Sequence, residues 1–283
     1  MQNIAAFLAV LATICWGMDQ VLGKASVRAI HPFFFNVIRS SFAFILILFL
    51  FLIFDGNFGK PWIVALAAAS GLIGEFLAAE LYFMVMKRSP AHIVIPAGNT
   101  DPLWGALGAM ILLGEKPGSA ILASIILVLI GTFLLAERNG EKDGWRGGIF
   151  LALLVAALWG IMLPLAKICL DEGMTQIAYQ TVRIGAAAAG CVLFWLVSGM
   201  RVGEVGRKPI SLTLASGFLA FFLGFVLWLK ALSLETASSL APLLGGKVAF
   251  GFLFSVVLLR ERTSLKSIAG ACLIMAGIFL ATL

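Results

Sequence analysis

Asp101 and Lys247 are the residues of this chain best suited to chemistry on a polar solute. Each lies near the middle of an apolar stretch, residues 91–113 and 237–259, and the two are separated by 146 positions. At that same offset Pro96 falls on Pro242 and Asn99 on Gly245. A carboxylate and an ammonium at one register can meet the two ends of a zwitterion. They can equally form a permanent ion pair that holds two helices together, and the carboxylate can exchange a proton. A proline removes a backbone donor and clashes with the preceding turn, so both stretches are predicted to bend or unwind near their middles.

The elements that would position these residues follow from composition. Of the 283 residues, 61% are hydrophobic and only 12% charged, with a mean hydropathy of +1.07. A soluble domain carries about 25% charged residues, so the chain reads as an all-α integral membrane protein with the lipid bilayer as its solvent. Ten apolar stretches are predicted as transmembrane helices: 4–24, 33–54, 61–86, 91–113, 119–137, 146–170, 175–198, 210–231, 237–259 and 265–283. The start, MQNIAAFLAV, has no basic region and reads as an uncleaved first helix. The net charge of +6 sits mostly in loops and reflects topology; no basic patch with interleaved aromatics points to nucleic acid. The four cysteines stand singly and His31 and His92 lie apart, so no metal site and no cofactor is expected.

An ionisable group at mid-bilayer costs about 2.5–3.5 kcal/mol on insertion scales, so each one requires a partner, water or a function. Counting helical rise from the loops, Glu75, Asp101 and Lys247 fall near the midplane, with Arg183 slightly to one side. Glu75 is flanked by Gly71, Gly74 and Ala78, which let a helix or a ligand approach closely. Its counterpart at the 146 offset is Phe221, so it reads as an unmatched carboxylate and a candidate for proton coupling. Arg183 would neutralise an anionic group or pair with carboxylates. Asp19, Arg39 and Glu80 share another depth and form either a structural cluster or a gate. Among the aromatics, Trp16, Trp159 and Tyr82, with the polar Asn99, are taken as substrate-binding candidates. The alternative for each ring is packing or interfacial anchoring.

The chain also repeats itself. Trp16-Gly17 recurs as Trp159-Gly160, Lys24 as Lys167, and Arg39 as Arg183. Leu113-Gly114-Glu115-Lys116 recurs as Leu259-Arg260-Glu261-Arg262, and the Gly131 segment as the Gly277 segment. The polar run at the midpoint divides residues 1–137 from 145–283, with 138–144 as the connecting loop. Five helices per half is an odd number, so the second half would be inserted upside down: two inverted five-helix repeats.

Ten helices in two repeats, W-G in the first and sixth, and L-x-E-[KR] after the fourth and ninth resemble the EamA family of the drug/metabolite transporter superfamily, over the whole chain. The resemblance implies a carrier, not an enzyme, with a central cavity lined by helices 1–4 and 6–9, and with helices 5 and 10 in a packing role. Loops after helices 1, 3, 5, 7 and 9 carry thirteen Lys and Arg against four (Lys60, Lys116, Lys167, Lys230) elsewhere, which places the first set in the cytoplasm and both termini outside.

The expectation is therefore a secondary exporter in the plasma membrane, working by alternating access on a small polar or zwitterionic metabolite such as an amino acid. No G-x-x-x-x-G-K-[ST] occurs, so an ion or solute gradient would drive it, with protons as a candidate. The competing readings are an intramembrane lipid-modifying enzyme, or a carrier for a cationic drug or a nucleotide-like anion. Gly131, Gly270 and Gly277 mark close packing on helices 5 and 10, which can include a weak dimer contact; a monomer is expected.

Overall fold

The computed structural model describes residues 2–54, 56–88, 97–135, 146–200, 205–259 and 264–282. Within them the chain forms ten helices and no strand: α1 Gln2–Val27, α2 Pro32–Ile53, α3 at 61–88, α4 Asp101–Leu112, α5 Ser119–Leu135, α6 Arg146–Asp171, α7 Gln176–Ser198, α8 Arg207–Leu232, α9 at 237–259, and α10 Leu265–Ala281. Seven are long and apolar enough to cross a membrane; α4, α5 and α10 are shorter apolar helices. Large apolar side chains such as Leu52, Ile111, Val197 and Phe279 stand exposed on the outer surface, as they do where lipid is the solvent. Pro96, His92, Glu261 and the loop 138–144 lie outside the described residues.

Each predicted stretch is helical where it is described, with ends shifted by a few residues. The expected irregularities in the fourth and ninth stretches are present. Before α4 the chain turns at Asn99 and Thr100, and the helix restarts at Asp101. In α9 a 3-10 segment, Ala241–Gly245, separates Ala237–Leu240 from Gly246–Leu259. Two further irregularities appear that hydropathy does not reveal. α3 contains a π-helical segment at Gly71–Ala78, and α8 contains one at Phe218–Gly224. Their positions correspond across the repeat.

Close contacts also recur in pairs. α1 crosses α9 at Gly17, where a Cβ would sit 2.7 Å from Gly251 N; α6 crosses α4 at Gly160, where it would sit 2.8 Å from Asp101 O and Gly105 N. Gly71 of α3 lies on the backbone of Arg183 in α7, and Gly217 of α8 lies on the backbone of Arg39 in α2. α5 and α10 pack on one another through Gly131 against Gly270 O and Gly277 against Ser124 O. Those three glycines, expected to mark close packing, are buried between two helices of the same chain.

Polar groups fasten the helix ends. The Glu115 carboxylate accepts from the backbone N–H groups of Ala237 (3.0 Å) and Ser238 (2.7 Å), capping the start of α9. This satisfies donors that a helix leaves unpaired at its N-terminus and places negative charge at the positive end of the dipole. Lys167 Nζ donates to Leu232 O at 3.1 Å, tying α6 to the last residue of α8. Thr175, Thr236 and Ser264 cap their own helices through side-chain oxygens.

The backbone contacts at Gly17 and Gly160 cannot yield as a flexible side chain would. Gly17→Ala and Gly160→Ala are each expected to destabilise the fold by about 1–3 kcal/mol through overpacking. That exceeds the gain of about 1 kcal/mol in helix propensity. Gly118→Ala, which meets nothing within 4 Å, serves as the control. Thermal unfolding in detergent reads the difference, and unchanged melting of both helix variants would show that the crossings are looser than drawn here.

Candidate functional site

The breaks in α4 and α9 bring Asp101 and Lys247 together. Lys247 Nζ donates to Asp101 Oδ2 at 2.7 Å. Asp101 occupies the first position of α4, where the helix dipole favours a carboxylate. Lys247 occupies the second residue after the 3-10 segment of α9. The ion pair gives each of two charges inside the helix bundle a partner of opposite sign. Asp101 Oδ1 is buried and has no hydrogen-bond partner.

Aromatic and polar groups surround this pair. Lys247 Nζ lies 5.5 Å from the ring centroid of Trp159, within cation–π range. The Tyr82 ring lies 5.1 Å from that of Trp159, and the Tyr82 side chain is hydrogen-bonded to Asn99. Trp104 Nε1 donates to Thr100 Oγ1 at 3.3 Å, closing the turn ahead of Asp101. A Cβ at Gly98 would stand 2.9 Å from the Tyr82 ring, so the chain runs closely past it. The structure therefore gathers Asp101, Lys247, Asn99, Tyr82 and Trp159 into one polar and aromatic nest.

Glu75 and Arg183 form a separate group. Glu75, which the sequence left without a partner, is ion-paired with Arg183 Nη2, and both side chains are buried. Arg183 Nη1 also donates to Gln180 Oε1 at 3.4 Å, and its guanidinium stacks 3.9 Å from the Phe225 ring centroid. Trp16 joins this group through Phe225, at 5.2 Å between rings, and packs against Trp228 at 5.3 Å.

The indole N–H groups of the two repeated tryptophans have equivalent tasks. Trp159 Nε1 donates to Gly74 O at 2.9 Å, and Trp16 Nε1 donates to Ala220 O at 3.1 Å. Each acceptor belongs to a π-helical segment, in which the normal backbone ladder is interrupted.

The third group contains Asp19 and Arg39, with Glu80 bound to Asn36 beside them. Arg39 Nη2 lies 3.4 Å from Asp19 Oδ2, and Ser216 donates to Asp19 Oδ1. Arg39 stacks over Phe221 at 4.1 Å and Phe35 at 5.0 Å. Glu80 Oε1 instead accepts from Asn36 Nδ2 at 2.8 Å. Asn36, Ser216 and Gln180 were not among the residues that sequence reasoning singled out. A signal was present: Asn36 and Gln180 each stand three residues before a repeated arginine, and Ser216-Gly217 matches Ser70-Gly71 at the 146 offset.

Known proteins resemble this chain along nearly its full length. An "uncharacterized transporter" of Archaeoglobus fulgidus is 25% identical over 279 residues, covering 96% of each chain. A "probable amino-acid metabolite efflux pump" of Salmonella typhimurium is 26% identical over 289 residues, covering 97% of this chain and 93% of its own. The protein of the same description from Escherichia coli is 23% identical over 285 residues. A solved crystal structure superposes with a TM-score of 0.82 at 20% identity, covering 98% of this chain and 96% of its own, a likeness of fold. The model of the EamA-like transporter family matches residues 3–136 and again 146–283. Two matches that leave out only the midpoint run, on an all-helical chain with seven membrane-length helices, make this a multi-pass membrane protein and a member of the EamA-like transporter family.

Proposed function

We propose that the chain is a secondary active exporter of a small zwitterionic metabolite, an amino acid in the first instance, in the plasma membrane. All ten helices would span the bilayer as two inverted five-helix repeats, residues 1–137 and 145–283, and alternate access around Asp101 and Lys247. The observation that carries this reading is the Asp101–Lys247 pair at the junction of two interrupted helices. Interrupted helices at corresponding places in two halves are where secondary transporters hold substrate. Opposite charges there can each accept the opposite end of an amino acid. Two relatives described as amino-acid metabolite efflux pumps support the substrate class. Flux of labelled amino acids in proteoliposomes, with and without a pH gradient, tests the proposal. Absence of flux for every amino acid would refute it.

The role of the pair can be separated from its contribution to stability. Asp101→Asn leaves Lys247 buried without its partner, and breaking a buried pair costs about 3–5 kcal/mol. The double change Asp101→Asn with Lys247→Met removes both charges and is expected to restore the melting temperature while transport stays lost. A stable double variant that transports at the wild-type rate would reduce the pair to scaffolding.

The orientation is tested independently. With the native cysteines replaced, a single cysteine at Lys208 is expected to react with impermeant reagent only from the cytoplasmic side. One at Thr282 should react only from outside. The reverse pattern would invert the assignment.

A further inference from the structure

We propose that Glu80, Asn36 and Arg39 form a proton-binding site, distinct from the Asp101–Lys247 pair, through which transport is coupled to a proton gradient. The inference rests on the carrier reading above. It arises from three unpartnered buried atoms in one cluster: Glu80 Oε2, Asn36 Oδ1 and Arg39 Nε. The side chains are 4%, 2% and 7% exposed. Asn36 Nδ2 is already bound to Glu80 Oε1, and Arg39 follows Asn36 by one turn of α2, so the open positions belong to neighbouring groups. Buried polar atoms are nearly always satisfied, and three exceptions together point to a ligand.

The atom types identify the ligand. Two acceptors and one donor are what a single water requires, since it donates twice and accepts from a third group. The fixed charge of Arg39 disfavours any resident cation, so the ligand there is a neutral water and the proton itself is held on Glu80 Oε2. That water passes one proton to Oε2 as it takes another from an arriving hydronium; the carboxylate becomes the acid, water is left in both places, and only O–H bonds change hands.

Glu80 also differs from the other membrane carboxylates in the described residues. Asp19 is held by Arg39 and Ser216, Glu75 by Arg183, and Asp101 by Lys247. Protonating any of those breaks an ion pair. Glu80 is held by a neutral amide, so its proton enters and leaves without that loss.

The elements around Glu80 give the coupling route. α2 presents Asn36 and Arg39, and α7 places Cys191 within electrostatic reach. α6 packs on this part of α3 through Ala152 against Val85, and its Lys167, Cys169 and Asp171 lie toward its other end. Arg39 in turn contacts Asp19 of α1 and Phe221 of α8. With Glu80 ionised, Arg39 is drawn toward α3; with Glu80 neutral, Asp19, Phe221 and Phe35 remain to hold it. The proton thereby changes the balance of attraction among α1, α2, α3 and α8.

The test begins with protons alone. Infrared difference spectra of the purified protein in lipid nanodiscs, recorded across pH, should show a carboxylic-acid band in the wild type and in Glu75→Gln. The band should be lost in Glu80→Gln, whose amide oxygen still accepts from Asn36. Its persistence in Glu80→Gln, or its disappearance in Glu75→Gln, overturns the proposal. In proteoliposomes, a mixture of labelled amino acids is exchanged against the unlabelled mixture. Glu80→Gln should retain this exchange and lose stimulation by an imposed pH gradient. Stimulation equal to wild type, or loss of exchange as well, overturns the coupling role. Absence of exchange in the wild type would refute the carrier reading, while the infrared result still decides the proton site.

Discussion

A backbone carbonyl that leaves its helical ladder in an apolar environment must find a donor elsewhere in the protein, and the arrangement of this fold follows from that requirement. The π-helical segments of α3 and α8 shift the register of the ladder, and Trp159 and Trp16 each donate to a carbonyl within one of them. The residue after each tryptophan is the glycine at which a second helix crosses: Gly160 against α4 and Gly17 against α9. A Trp-Gly dipeptide therefore joins three helices at one point, with the indole facing one neighbour and the bare Cα facing another. Its appearance twice reflects two equivalent joints, and the interrupted segments beside the central ion pair rest on them.

Charge is distributed less evenly than backbone. Arg39 and Arg183 occupy corresponding positions, each beneath a glycine of the opposing helix. Arg39 has a carboxylate from α1, Asp19, and the ring of Phe221 from α8. Arg183 has its carboxylate from α3, Glu75, at the position corresponding to Phe221, while Met162 stands where Asp19 would correspond. One frame thus supports two different solutions to the same buried cation. In a carrier whose halves exchange conformations, equal halves would make the two end states equal in energy. On the proposed reading, the exchanged carboxylates would give those states different electrostatics, on which a ligand could act.

Much of this was legible in the sequence because the repeat made it so. The interruptions near Asn99 and in 241–245 followed from Pro, Gly and charge in long apolar runs, and the register of Asp101 with Lys247 followed from the offset. The repeat gives Glu75 no counterpart carboxylate, since Phe221 stands at its offset; Arg183, which the sequence offered as a partner for carboxylates, reaches it from α7, a neighbour in space rather than in the repeat. The π-helical segments escaped detection because they change hydrogen bonding without changing composition. Gly71 and Gly217 were the visible trace, and only packing shows that they lie against Arg183 and Arg39. The glycines of α5 and α10 marked close packing in the sequence, and the structure supplies the partner: each of the two helices packs on the other.

On the proposed reading, the central pair suits a zwitterion better than a simple ion. Asp101 stands at the start of α4, and Lys247 just past the 3-10 segment of α9. An anionic ligand would find Lys247 and the start of α4 favourable, but would leave Asp101 buried without its cation. A cationic ligand would occupy Asp101 Oδ1 and leave Lys247 without its carboxylate. Either outcome incurs the cost of an unpaired buried charge, about 3–5 kcal/mol for a broken pair. A zwitterion alone can separate the two residues while giving each a new partner of the right sign. On the proposed reading, the pair is therefore both the occupant of the empty site and the element that selects what replaces it.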